Sequence, residues 1–158
     1  MPIRSQRRFS GTKEQIAMNE FTAVVEDLVE LFEELIEIEQ IKIEAVKKNM
    51  VSYVEDCMNR EQAAVLKLRG LEKKRETCQK NMGFEGYTFK QILENTTGEE
   101  HSRLQMLFDT LSHHVSLFQD TNESARAMLE ISLHNINKAI LRTHQNNAKD
   151  KKNWEGLI

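Results

Sequence analysis

The sequence predicts an all-α protein: an elongated, antiparallel helical bundle or coiled coil of three long helices plus one short helix. Three observations lead there. Pro2 is the only proline and there are six glycines in 158 residues, so Lys13 to Ile158 lacks the proline that turn-rich folds consume. Apolar residues recur at alternating three- and four-residue spacing through long segments, the period of a packed helix and not of a strand. Hydrophobic content is 39% and charged content 30%, with 6% aromatic, which suits a thin core built from Leu, Ile and Val. The length fits one domain, with little room for a second.

Residues 1–17 are polar, basic and patternless and read as a disordered arm, either native or an upstream extension. Met18 followed by the N-cap candidate Asn19 marks the expected start of a helical domain covering 18–145. From Met18 to about Lys48, Phe21, Val24, Leu28, Leu31, Leu35 and Ile38 occupy heptad a and d positions, and Ala45 resumes the row after a break at Lys42. Val25, Val29, Phe32, Ile36 and Ile43 widen the stripe. A face that broad touches two neighbours, so at least three helices are needed.

Asn49 marks a reversal. A second helix over Val51–Asn81 carries Val54, Cys57, Ala64, Leu68, Leu71, Cys78 and, just beyond, Met82, interrupted by Glu61 and Arg75. Both segments run about 31 residues, roughly 46 Å, and equal lengths joined by a short turn predict an antiparallel hairpin. Gly83 and Gly86 supply a stop, and Thr88 caps a short helix, Phe89–Asn95, whose Phe89, Ile92 and Leu93 seal the bundle end. After Thr97–Gly98 comes the longest helix, from Glu99 to Thr143 or beyond, with the stripe Leu104, Phe108, Leu111, Val115, Phe118, Ala125, Leu129, Ile136 and Ile140. At about 68 Å it outruns the hairpin by some 20 Å, so one end projects or finds another partner. Residues 146–158 read as a flexible tail.

The formal net charge of −3 is unevenly spread. Residues 1–17 carry +3, 18–48 carry −6, 49–82 carry +2 and 83–145 carry −3. An acidic first helix beside a mildly basic second favours their pairing. The basic run Lys67, Arg69, Lys73, Lys74 and Arg75 has no interleaved aromatics, so it reads as structural charge pairing and no nucleic-acid partner is expected. Arg4, Arg7 and Arg8 precede no apolar run, which argues against a secretory signal. No window approaches the roughly 20 apolar residues that span a bilayer, so no membrane insertion is expected and the chain reads as intracellular.

A bundle of this kind invites a di-iron centre, which needs Glu-x-x-His on two helices. The residues three before His101, His113, His114, His134 and His144 are Gly98, Thr110, Leu111, Ile131 and Leu141, none of them acidic. Glu26, Glu30, Glu33, Glu34 and Glu37 lie mainly opposite the apolar stripe. His113 and His114 diverge by about 100° as helix neighbours and do not readily chelate one ion; His113 is expected in solvent and His114 beside the core. Cys57 and Cys78 form no CxxC pair and read as free core thiols. The sequons at Asn95 and Asn122 are chance matches without a signal peptide. No catalytic residue, cofactor or metal is expected.

Asn122–Leu141 is apolar on nearly every side: Ala125, Leu129, Ser132, Ile136 and Ala139 form the core row, and Ile131, Leu133, Ile140 and Leu141 fall outside it. This means either burial all round or a face awaiting a partner, and on an overlong helix the latter is expected. A homodimer and capture of a different protein both remain open at this point.

The residues also resemble a family. Val25-Glu26-Asp27-Leu28-Val29-Glu30-Leu31-Phe32-Glu33-Glu34-Leu35, Gly86-Tyr87-Thr88-Phe89-Lys90-Gln91-Ile92-Leu93, and Asn122 followed by Met128-Leu129-Glu130-Ile131-Ser132-Leu133-His134-Asn135-Ile136 are similar to segments of FlgN-type flagellar export chaperones. The similarity covers about Phe21 to Leu141, with Ala125 where members often carry a second asparagine. The resemblance implies a cytoplasmic bacterial chaperone and not an enzyme. It would bind the helical C-terminal ends of hook-associated (hook–filament junction) proteins, keep them soluble and unassembled, and deliver them to the export apparatus. The family's client-binding role would fall on Asn122, Met128, Leu129, Ile131, Leu133, Ile136 and Ile140. The alternative is a structural coiled-coil or adaptor protein that self-associates through its C-terminal helix.

Overall fold

The computed structural model describes the backbone of residues 12–155 and the side chains of 13–145, Ile136 excepted. Among the described residues there are four helices and no strand: α1 (Thr12–Lys47), α2 (Val51–Asn81), α3 (Phe89–Glu94) and α4 (Gly98–Glu155). The expected bundle is present, with corrected ends. α1 begins at Thr12, so the last residues assigned to the arm are helical and Ala17 joins the core. α4 continues to Glu155 without a break near 145, so the segment read as a tail is helical through that residue. No proline or glycine interrupts α4 after Gly98, and polar residues alone do not stop a helix already nucleated. The upstream arm as far as residue 11, and the side chains of Ile136, Trp154, Leu157 and Ile158, lie outside the described residues.

The two ends of the hairpin are built alike. Asn49 takes φ 54°, its N–H donates to Val46 O at 3.2 Å, and the Met50 N–H donates to Ala45 O at 2.9 Å. Gly83 takes φ 79°, with Gly83 N–H to Lys80 O at 3.1 Å and Phe84 N–H to Gln79 O at 2.7 Å. Both are left-handed caps that satisfy the final helical carbonyls. Buried Gln79 then donates its side-chain amide to the carbonyls of Phe84 and Tyr87, pinning the glycine turn against α2. Thr88 and Gln91 form a reciprocal capping box: the Gln91 N–H donates to Thr88 Oγ1, and the Thr88 N–H donates to Gln91 Oε1.

α1 packs against α2 on one side and α4 on the other, as its wide stripe requires. α2 is antiparallel to α1. α4 is parallel to α1, since Gln15–Glu100, Phe21–Phe108 and Phe32–Phe118 advance together along both helices. The reason is topological: α2 returns the chain to the start of α1, and α3 with its turns launches α4 from there. In that register the end of α1 stands level with roughly residue 133 of α4, leaving about 33 Å of α4 beyond it.

The core is thickest at the end where α3 sits. Phe21, Val24, Val25 and Leu28 of α1 meet Cys78 and Met82, Phe84 from the glycine turn, Ile92 of α3, and Leu104, Phe108 and Leu111 of α4. Phe89 stacks on Phe108 with ring centroids 4.2 Å apart, and Phe21 meets Phe108 edge-on at 6.1 Å. Further along, the core narrows to Leu31, Leu35 and Ala64, flanked by Phe32, Leu68, Leu71 and Phe118.

The breaks in the two apolar rows explain one another. Lys42 is buried and its ammonium pairs with Glu61 of α2, so the residues that interrupt each row meet across the hairpin. Glu39 completes the group: Lys42 donates to its Oε1 at 3.2 Å and stands 3.1 Å from Oε2. Among the described residues this is the ion pair joining α1 to α2, with the base on the acidic helix and the acid on the basic one. The two helices pair side by side as expected, but among the described residues the ion pair between them is this buried one and does not involve the basic run of α2. Lys67, Arg69, Lys73 and Lys74 remain exposed, while Arg75 pairs with Glu72 one turn earlier and lies over the Phe89 ring.

Candidate protein-binding surface

Burial falls steadily along α4. Leu104, Phe108 and Leu111 are buried, Val115 and Phe118 half-buried, and among the described residues Ala125 is the last fully buried apolar side chain. Asn122, Met128 and Leu129 are half-buried, whereas Ile131, Leu133, Ile140 and Leu141 expose 63%, 56%, 48% and 61% of their surface. The cause lies in the neighbours: α1 and α2 stop or turn at Lys47–Val51, so nothing within the described chain remains for α4 to pack on. Four large apolar side chains on one unsupported segment form a patch that isolated monomers seldom carry.

The candidate residues do not share one face. At 100° per residue, Asn122, Leu129, Leu133 and Ile140 lie within about 40° of Val115 around the axis, whereas Met128 and Ile131 lie about 140–160° away. The first group continues the side of α4 that carries Val115, and Ile131 projects from the far side, whereas half-buried Met128 lies one turn beyond buried Ala125 on the opposite edge of the buried strip. Ile136 is one of the candidates whose side chain lies outside the described residues.

Another apolar feature lies on the body. α2 and α4 both pack on α1, yet among the described residues their backbones do not approach one another. The space between them is an open groove of about 490 Å³ floored by Leu28 and Phe32, walled by Leu68 and Glu72 on one side and by Leu111, Val115 and Gln119 on the other. Phe89 closes one end. Sequence reasoning placed Leu28, Phe32, Leu68 and Val115 in the core and did not see the groove. The signal that could have found it was the width of the α1 stripe, broader than two neighbours fully cover.

Cys57 and Cys78 are buried free thiols, as expected, and burial pushes both thiols up from their ordinary range, away from nucleophilic use. His113 is exposed; half-buried His114 places Nδ1 2.8 Å from Thr110 O and Nε2 3.5 Å from Glu33 Oε1. Among the described residues no group of three or more His, Cys, Asp or Glu side chains is placed to hold a metal ion. Among them, too, no helix is long and apolar enough to cross a membrane.

No curated protein and no solved structure matches the chain. A protein family described as "FlgN protein" matches residues 18–153, the span from the first core methionine to near the end of α4. With the match covering most of the bundle and the whole of the exposed α4 segment, the chain belongs to the FlgN family of flagellar export chaperones.

Proposed function

We propose that the protein is a cytoplasmic chaperone that binds the helical C-terminal ends of flagellar hook-associated proteins, holds them soluble and unassembled, and passes them to the export apparatus. It acts by binding, without catalysis or cofactor. The observation that carries this reading is the exposed apolar segment of α4, Ile131, Leu133 and Ile140, on a helix that outruns its own bundle in a chain of this family. An amphipathic client helix would cover that surface and lose its own tendency to self-assemble. Asn122, Met128, Leu129 and Ile136 complete the proposed contact region.

Calorimetric titration with C-terminal peptides of the hook-associated proteins of the same bacterium tests this. Binding is expected at micromolar Kd or tighter, weakened at least tenfold by Leu133→Asp or Ile140→Asp. Absence of binding by the folded protein removes the proposal. Self-association has its own support: Ile131 and Leu141 point away from the Leu133 stripe, so α4 is apolar on more than one side, as in a helix that pairs with its own copy. A dimer persisting at nanomolar concentration in light scattering, with the α4 patch inaccessible, would favour it.

A further inference from the structure

The groove between α2 and α4 and the exposed stripe of α4 form one continuous surface. Val115 and Gln119 wall the groove, and Asn122, Leu129, Leu133 and Ile140 follow them along the same side of the helix. From Leu111 to Ile140 the surface is straight and about 44 Å long. The groove is apolar apart from Glu72 and the short polar side chains Ser112, Ser116 and Gln119, and the stripe beyond it sets Asn122 and exposed Arg126 among its apolar side chains.

What fits such a surface follows from backbone chemistry. Every wall is an α-helix whose own N–H and C=O groups are bonded internally, so the groove offers no backbone partner to an extended peptide. A strand laid there would bury unpaired amides; a helix arrives with its amides already paired. The slot also has the right shape, because α2 and α4 each pack on α1 without meeting, and a fourth helix placed over Leu28 and Phe32 completes a four-helix bundle. We infer that this groove and the α4 stripe together seat a single amphipathic helix of a partner protein, about 29 residues long at the α-helical rise, with a heptad-spaced uncharged face. The inference rests on the proposed chaperone role for the partner's identity. It adds that the body of the bundle takes part, not the α4 overhang alone.

The test uses the full chain and two probes: the C-terminal hook-associated peptides and a designed helix of about 29 residues with leucine at a and d and Glu/Lys elsewhere. The groove variant is Ser112→Lys combined with Gln119→Lys, two exposed helical positions whose change swings charge across the groove without touching the core. The control is Met106→Lys, 69% exposed and about 180° from Val115 on α4. Circular dichroism confirms folding of each variant. The groove variant is expected to weaken both probes at least tenfold while the control leaves Kd within twofold. If the hook-associated peptides fail but the designed helix binds wild type and is lost in the groove variant, the groove stands and the proposed client falls. If the peptides bind wild type and groove variant equally, the groove inference falls and the client stands. If neither probe binds, both fall. Wild type that is dimeric where the groove variant is monomeric makes another copy of this chain the occupant and overturns the inference.

Discussion

Replacing Glu39 by glutamine should stabilise this protein, and by an amount that grows with pH. Glu39 is fully buried, and its Oε2 takes no hydrogen bond. It shares one ammonium, Lys42, with Glu61, so two carboxylates compete for a single positive charge in the hairpin interior. Burial first, then the Glu61 carboxyl, raises its pKa from the ordinary 4.5 to about 7. The folded state therefore binds more protons than the unfolded chain between those values. Stability from this group is fully present below pH 4.5 and is lost as pH rises through 7. At about 1.4 kcal/mol per pKa unit, the shift is worth about 3 kcal/mol by pH 8. A glutamine amide at this position would imitate the protonated acid and would not titrate. Urea melts followed by circular dichroism should show Glu39→Gln more stable than wild type by about 1 kcal/mol at pH 5 and about 3 kcal/mol at pH 8. Titration of carboxylates remote from Glu39 cancels in this difference. A difference equal at the two pH values, or a variant less stable at pH 8, would refute the reasoning.

Three further outcomes follow from named contacts. Phe108→Ala removes the ring that stacks on Phe89 and meets Phe21 edge-on, and should cost about 3–5 kcal/mol, read as a lowered urea midpoint. Thr88→Ala breaks the capping box of α3 and should cost about 1 kcal/mol, seen also as faster amide exchange at Gln91 and Ile92. Gly70 and Gly98 should respond oppositely to alanine, although an added Cβ meets nothing within 4 Å at either. Gly70→Ala, inside α2, should raise the thermal midpoint by a gain of about 1 kcal/mol. Gly98→Ala, at φ +67°, should lower it by a loss of about 1–2 kcal/mol.

Much of the fold was legible because helix period and punctuation are local. The α2 bounds, the Asn49 reversal, the Gly83 stop and the Thr88 cap all depend on residues within one or two turns of each other. Helix ends without such punctuation were misplaced: nothing between Thr12 and Met18 stops α1 from starting early, and nothing near residue 145 stops α4. The candidate binding segment was likewise visible as an apolar excess on an overlong helix.

The chain's own residues thus determined the helices, their lengths to within a few turns, and the presence of more apolar surface on α4 than one bundle can cover. Tertiary structure decided which of that surface is free. Periodicity records which residues share a side of a helix, but not which neighbour stands there. Only the parallel docking of α4 on α1 shows that the support ends near residue 133, leaving Leu133 and Ile140 bare. Only the separation of α2 from α4 turns Leu28, Phe32 and Val115, indistinguishable from core residues in sequence, into the lining of a groove. The meeting of Lys42 with Glu61 belongs to the same class, since a buried charge is tolerated only beside a partner that the fold supplies.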